Sequence, residues 1–570
     1  MNDIRRTILW VIFGFSMVML WDQWQVFNGR QATFFPSSKP AVTAQAPASA
    51  PATAALPSAV PTGPTSVPAT TTSPQSVPAA PAGATAAQRE RITVTTDVMK
   101  VTFDTEGATV VHTELLEHVA DGKNGNYVLL DQSPERVYVA QSGLVGPAGT
   151  SYPNHKTIMT AVPGERTMKE GQNELSIRFE SPVQDGVKLV KTFTFKRGAY
   201  EVPVKHEVIN DGGVEARPQL YLQLVRDGNK LPGESSFYST FTGPAVYTDA
   251  QKFQKVEFSD IQKKKAEFET SSDDGYIAMV QHYFVSAWIL PDGVRRDLQM
   301  TEVDRNLYSV AMIAPLKPLA PGASEAQEAI FYSGPQEEKL LEQVAPGLEL
   351  VKDYGVLTVL AKPLYWLLDT IHSVLGNWGW SIVGLVLLIK IAFYWLQAKG
   401  YESMAKMKAI NPKVMAMRER YKDKPQQMQQ EMMRIYREEK VNPLGGCLPI
   451  LVQIPVFIAL YWVLLSSVEM RHAPWILWIK DLSAPDPYFI LPVVMTLTTL
   501  LQTALNPVPP DPMQAKMMWF MPLIFSVMFF FFPAGLVLYW ITNNILSIAQ
   551  QWLINTRMGV PPEFNLPKFK

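Results

Sequence analysis

Two hydrophobic periods divide this chain. Between residues 91 and 340 apolar and polar side chains alternate at every second position, most clearly in Ile92-Thr-Val-Thr, Val98-Met-Lys-Val-Thr-Phe, Leu189-Val-Lys-Thr-Phe-Thr-Phe and Gln219-Leu-Tyr-Leu-Gln-Leu-Val. Alternation of this kind places one side-chain set on each face of a strand. Asp121-Gly, Asn210-Asp-Gly-Gly and Asp227-Gly-Asn punctuate the runs as turns. Many strands and few helical stretches predict an all-β antiparallel sandwich over 91–345.

From Asp353 the period lengthens. Leu357, Leu360, Leu364, Leu367, Leu368, Ile371 and Leu375 recur at helical spacing with Lys362, Asp369 and His372 between them. The pattern over 350–376 is too amphipathic to span a membrane and predicts a helix lying at the interface, with Pro363 interrupting it. Asp369 and His372, three apart, could share a hydrogen bond, although interfacial solvation accounts for both. Five apolar runs then fill 377–556: Trp378–Gln397, about Leu444–Ser467, about Tyr488–Leu505, and two within Met517–Thr556, forty residues without a charge split at Phe532-Pro-Ala-Gly535. Each approaches the ~20 residues that cross a hydrocarbon core of about 30 Å. Trp378, Trp380, Trp475, Trp478, Trp519 and Trp552 fall near the ends of these runs, where an aromatic belt would sit.

At the N-terminus, Arg5-Arg6 precede the apolar stretch Ile8 to Trp21 with no Ala-x-Ala site promptly after it. An uncleaved anchor over 1–27 fits better than a cleaved signal. Residues 28–90 contain a long run of Pro, Ala, Ser and Thr, which cannot bury enough surface to offset chain entropy and reads as a disordered tether. The expected fold is therefore a membrane α-helical bundle of six spans joined to an all-β domain.

Charge orients this arrangement. Residues 398–443 carry eleven Lys and Arg against six Asp and Glu, a net of +5, whereas 468–487 carry Arg471 and Lys480 against Glu469, Asp481 and Asp486. The positive-inside rule puts 398–443, 506–516 and the 557–570 tail in the cytoplasm, and with six spans both termini lie there and the β domain lies outside the inner membrane. Within 398–443, Met404, Met407, Val414, Met417 and Tyr421 precede a Tyr421–Pro425 turn, with Met428, Met432 and Ile435 on the return arm. This predicts a helical hairpin whose methionines either form the seam between the arms or offer an adaptable surface to greasy chains.

Composition narrows the function. Lys and Arg total 51 against 52 Asp and Glu, so nucleic acid is not a natural partner. The lone cysteine, Cys447, lies outside the β domain, which must hold together by its own core. His112, His118, His155, His206 and His282 are scattered without ligand spacing, and no metal or cofactor is expected. A phosphate loop, His-Glu-x-x-His, Gly-x-Ser-x-Gly and an intramembrane carboxylate pair are all absent from the sequence, so neither ATP hydrolysis nor intramembrane proteolysis is supported.

The chemistry that stands out is polar groups inside the apolar runs. Lys390 is the one formal charge in Trp378–Gln397 and either snorkels or faces a hydrated cavity. Gln453, Thr496, Thr499, Gln502, Thr503, Asn543, Asn544, Ser547 and Gln550 all need partners in lipid. Thr496, Thr499 and Thr503 share a helical face, as do Asn543, Ser547 and Gln550. Helix-packing contacts explain each singly. Together with a lysine they suggest a polar groove open to the cytoplasm.

The run Asn442-Pro-Leu-Gly-Gly-Cys-Leu-Pro-Ile-Leu-Val-Gln-Ile-Pro455-Val-Phe457 closely resembles the YidC membrane protein insertase family. So do Ala473-Pro-Trp, Trp478-Ile-Lys-Asp-Leu-Ser-Ala, Asp511-Pro-Met-Gln and Pro533-Ala-Gly-Leu-Val-Leu-Tyr-Trp, and the resemblance spans about residues 350–555. The tether and β domain resemble the Gram-negative form of that family, in which the domain is a periplasmic β-supersandwich. The resemblance implies an insertase and chaperone without a covalent reaction, working on nascent inner-membrane proteins at the lipid bilayer, alone or with the Sec translocon and its accessory subunits, and with the ribosome.

It implies a substrate groove formed by Lys390, Val386, Gln453, Phe457, Thr499, Gln502, Asn543, Tyr539 and Trp540, and a substrate slide with Pro455, Met521 and Phe525. Lys390 stands where the family carries an arginine, which keeps the charge and loses the bidentate fork. Val386 replaces a polar residue, and Trp540 follows Tyr539 where a second tyrosine is common. A channel or transporter using Lys390 as an ion site, or a non-catalytic Sec scaffold, are the competing functions; the first predicts inverted repeats, and the sequence shows no internal repeat.

Overall fold

The computed structural model describes residues 89–120, 125–231, 240–421, 424–439, 448–506, 512–557, 559 and 564. The anchor, nearly all of the tether, the Asp121-Gly turn, Cys447 and most of the tail lie outside the described residues. The chain divides into two compact units at Lys352/Asp353.

The first unit is an all-β sandwich of two antiparallel sheets, each of nine strands among the described residues. One sheet runs Arg91–Thr95, Met99–Asp104, Thr109–Val119, Asn126–Gln132, Val137–Val145, Gln219–Asp227, Leu307–Pro315, Arg296–Asp304, Ser271–Ser272. The other runs Lys252–Lys255, Gly243–Thr248, Tyr276–Val280, Phe284–Ile289, Ser324–Pro335, Glu201–Asn210, Val187–Lys196, Glu174–Glu180, Thr160–Ala161. Outer strands such as Glu174–Glu180 alternate buried and exposed, as their sequence period demands. The interior strands Gly243–Thr248, Tyr276–Val280 and Phe284–Ile289 are buried at every position, so both of their faces are covered. Phe103 of the first sheet meets Phe179, Phe193 and Phe195 of the second at centroid separations of 5.3, 4.7 and 6.3 Å. At Gly275 (φ +85°) a Cβ would lie 1.8 Å from the Tyr247 carbonyl oxygen, so no other residue fits there.

Polar side chains also tie the sheets together. The Trp288 indole donates to the Gln223 carbonyl (3.2 Å), and His206 Nε2 meets Ser142 Oγ at 3.0 Å. His155 Nδ1 lies 2.6 Å from the Tyr221 hydroxyl. Two of the scattered histidines are thus fully buried structural groups. Lys191, fully buried, donates to the carbonyls of Gly107 (2.6 Å) and Ser142 (2.7 Å). Burial pushes this lysine down to about 7 from 10.5. Between those values the unfolded chain holds the proton and the folded domain does not, so stability should rise with pH from 7 to 10. In Lys191→Met that rise should flatten, as measured by denaturant unfolding across the pH series; an unchanged slope would exclude Lys191 as its source.

The second unit is helical: α1 (Thr358–Leu375), α2 (Trp378–Ala392), α3 (Tyr394–Arg420), α4 (Pro425–Glu438), α5 (Leu448–Ser466), α6 (Ile490–Leu505), α7 (Pro512–Phe529) and α8 (Ala534–Arg557). Helix α1 ends at Gly376, left-handed at φ +63°, whose N–H reaches the His372 carbonyl (2.8 Å). Asn377 then caps α2 by accepting from the Trp380 N–H (3.1 Å) and donates to the Pro474 carbonyl (3.1 Å). Trp475 packs so closely on Gly379 that a Cβ there would meet the indole at 2.2 Å.

Two expectations are corrected. Pro363 does not interrupt the interfacial segment; it sits inside α1, within its second turn, where the helix continues. The run Trp378–Gln397 is not one helix. Helix α2 stops at Ala392, Phe393 takes φ −94°, ψ 11°, and α3 departs at 68°. Continuous apolarity conceals such a bend, since Phe393 is neither glycine nor proline. Among the described residues no single helix is long and apolar enough to cross a membrane, although α2 with the start of α3 passes by length and composition across the bend. His372 stacks on Trp378 at 3.8 Å and 5°. In the α3/α4 pair, buried Ile410 and Val414 pack against Met407, Met432, Ile435 and Tyr436.

Candidate functional site

Helix α8 organises the site, because it packs on α2, α3 and α6. Its sequence Ile541-Thr-Asn-Asn-Ile-Leu-Ser places amides and a hydroxyl within two turns. Adjacent residues on a helix point about 100° apart, so neighbouring asparagines address different partners. Asn543 accepts from Gln453 Nε2 of α5 (2.5 Å), while Asn544 donates to Thr499 Oγ1 of α6 (2.8 Å). One turn later Ser547 accepts from Lys390 Nζ of α2 (2.7 Å). Lys390 is only 7% exposed. Its side chain therefore runs into the helical unit instead of along its surface. Val386, one turn earlier on α2, is buried beside it.

Thr499 joins the polar seam to an apolar pocket. The pocket, of about 580 Å³, is lined by Phe457, Tyr461, Met521, Phe525 and Trp540 among others, with Thr499 on its wall. Phe457 packs on Tyr539 (5.9 Å, 28°) and meets Trp540 edge-on (4.8 Å, 82°). Met521 and Phe525 are 41% and 50% exposed, giving the pocket an open apolar flank. Such exposure is costly in water and unremarkable against acyl chains. Pro455 lies inside α5, and Gln502 is half-buried on α6.

The structure also brings in residues that the sequence did not single out as site residues. Asn544, Ser547 and Gln550 belonged to the polar set that the sequence grouped with Lys390, whereas Tyr401 and Tyr394 carried no such signal. Tyr401 of α3 reaches the Ser547 hydroxyl, and Gln550 Nε2 meets the Tyr394 carbonyl at 3.5 Å. These contacts depend on the bend at Phe393, which no residue type announced. Thr496 and Thr503, by contrast, return their hydroxyls to carbonyls of their own helix. No group of three or more His, Cys, Asp or Glu could hold a metal among the described residues.

A β-sandwich followed by a helical region with a polar seam opening on an apolar flank is a two-part membrane-associated protein, and both parts match known families. Residues 91–367 match the YidC periplasmic domain and residues 370–560 the 60Kd inner membrane protein family. The chain belongs to the YidC family of membrane protein insertases. It is 55% identical over 560 residues to the membrane protein insertase YidC of Cupriavidus taiwanensis, covering 98% of each chain. The corresponding insertase of Janthinobacterium sp. is 52% identical over 577 residues, covering 98% of this chain and all of that one. A crystal structure of an active YidC insertase is similar at 19% identity with a TM-score of 0.37, covering 81% of this chain and 92% of that one.

Proposed function

We propose that this protein is a membrane protein insertase and chaperone that moves nascent hydrophobic segments from a cytoplasm-open polar groove into the lipid bilayer. The observation that carries the reading is the juxtaposition of the Lys390–Ser547 contact and the Gln453–Asn543 and Asn544–Thr499 pairs with an apolar pocket on the far side of Thr499. Polar parts of a substrate exchange water for the seam's hydrogen bonds, while its apolar segment leaves along Phe457, Met521 and Phe525 into lipid. Passage is eased because no polar group is stranded in hydrocarbon, where a single charge costs about 3 kcal/mol or more. The work is partitioning, and no covalent step is required.

The reading includes six spans, the first within 1–27, with both termini cytoplasmic and the β domain periplasmic. It includes nascent inner-membrane proteins, the Sec translocon and the ribosome as partners. The bent α2–α3 pair and the shorter apolar helices Val452–Ser466, Ile490–Leu505 and Ala515–Phe529 within α5, α6 and α7 support the five-span core. The test is a set of photo-crosslinking residues at positions 390, 457 and 521 during synthesis of a short inner-membrane protein. Adducts with the nascent span at 457 and 521 are expected; silence at all three positions would overturn the proposal.

A further inference from the structure

The connection between α5 and α6 bares apolar side chains at backbone positions that ordinarily exclude them. Its tip is a tight turn over Ile476–Ile479, closed by the Ile479 N–H on the Ile476 carbonyl (3.0 Å). At its base the Trp475 N–H reaches the Ile479 carbonyl (3.1 Å). The first central residue of the turn has φ +51°, where glycine or asparagine is usual. Here it is Leu477, 72% exposed. A second corner repeats the anomaly: Phe489 has φ +57° and is exposed, beside Tyr488 at 68%. Both corners are braced. The buried Asp486 carboxylate accepts from the Trp478 indole (3.1 Å) and from the N–H groups of Tyr488 (3.0 Å) and Leu491 (2.7 Å).

Other contacts set the level of this loop along the helices. Trp475 packs on Gly379 and lies edge-on to the exposed Trp380 (5.6 Å, 71°), both in the first turn of α2. The Leu482 and Ala484 carbonyls accept from the N–H groups of Gly535 (2.9 Å) and Ala534 (2.8 Å), which begin α8. Phe489 leads directly into α6, where exposed Ile490, Val493, Leu497 and Leu501 form one apolar stripe. The tip has no charge from Ala473 to Ile479, and exposed Lys480 follows it.

We propose that this loop is a membrane anchor: Leu477 and the Tyr488-Phe489 corner insert among the acyl chains of the outer leaflet, with Lys480 at the headgroups. That this end of the helices is the outer one rests on the insertase reading. In water the positive φ and the bared leucine are both unfavourable, and a small polar turn residue would relieve both. Against acyl chains only the backbone strain remains, and leucine becomes the favoured side chain. The second corner continues the apolar stripe of α6, so the surface that meets lipid along that helix extends into the loop. Lys480 can lay its stem along the same surface and keep its ammonium among phosphates. A loop that its charge balance leaves outside the membrane thereby returns to it.

The test places a photoreactive diazirine residue singly at positions 477, 488, 497 and 169 of the full-length chain in vesicles of phosphatidylethanolamine and phosphatidylglycerol. Products are read by mass spectrometry of the intact protein. Leu497, exposed on α6, reports lipid along the helix, and Lys169, exposed in the β domain, reports water. All four side chains are exposed, so the substitutions leave the fold in place. Phospholipid adducts should form at 477 and 488 in yields comparable with 497 and be lost at 169. Adducts at 497 with only water products at 477 and 488 would overturn the anchor and leave the membrane-spanning helices standing. Crosslinks from 477 to a second copy of the chain in place of lipid would overturn it equally. Water products at 497 as well would overturn the anchor together with the membrane reading.

Discussion

Lys390→Glu should cut insertion of a substrate with an acidic translocated segment by at least about tenfold. The ammonium is buried and held by Ser547, so the substitution places a carboxylate at the heart of the polar seam. Attraction for an incoming acidic group becomes repulsion. At about 8 Å and an effective dielectric near 20, two unit charges interact by about 2 kcal/mol, and each 1.4 kcal/mol is about tenfold. Lys390→Arg should retain most activity, since the charge persists and only the donor geometry changes. A neutral substrate should be affected much less by either change. Insertion into inverted vesicles, scored by protease protection, separates these cases. If Lys390→Glu inserts the acidic substrate at the wild-type level, Lys390 takes no part in the groove.

Arg296→Met should lower the melting temperature of the β-sandwich by about 10 °C. Arg296 is fully buried and donates to five backbone carbonyls, those of Val294 (2.8 Å), Gly275 (2.8 Å), Leu290 (3.2 Å), Asp273 (3.0 Å) and Pro291 (2.6 Å). One guanidinium thereby fixes the two loops at 273–275 and 290–294. Removing it leaves buried carbonyls without donors, at about 1–3 kcal/mol each where water cannot enter. A net loss of about 3–5 kcal/mol at about 2–4 °C per kcal/mol in a domain of this size gives the expected shift. Arg296→Lys should recover only part of it, because three donors on a point charge cannot serve five carbonyls. Calorimetry of the full-length protein checks this; a shift under about 2 °C would mean that water replaces the side chain.

Both predictions concern charged residues whose roles differ in how far the sequence exposed them. Lys390 stood out because a charge in an apolar run is rare and must be explained. Arg296 did not, since Arg295-Arg296-Asp297 after a Pro-Asp-Gly turn reads as a solvated loop. Its burial follows from two loops closing over it, and those loops approach only when distant strands pair.

The sandwich and the helical region were legible because a period of two and long apolar runs are local properties, set by residues within one element. The polar positions of the hydrogen-bonded seam were legible too, since hydrocarbon leaves each such group in need of a partner. Which partner it takes is a matter of assembly. That Asn543 serves α5 and Asn544 serves α6, and that Lys390 ends on Ser547, follows from the packing of α8 on α2 and α6. The bend at Phe393, which brings Tyr401 to the same serine, carries no residue signal at all. Local periodicity determined the elements and the inventory of polar groups; the tertiary structure alone decided their pairing, because hydrogen bonds between helices depend on register and crossing, which no single segment encodes.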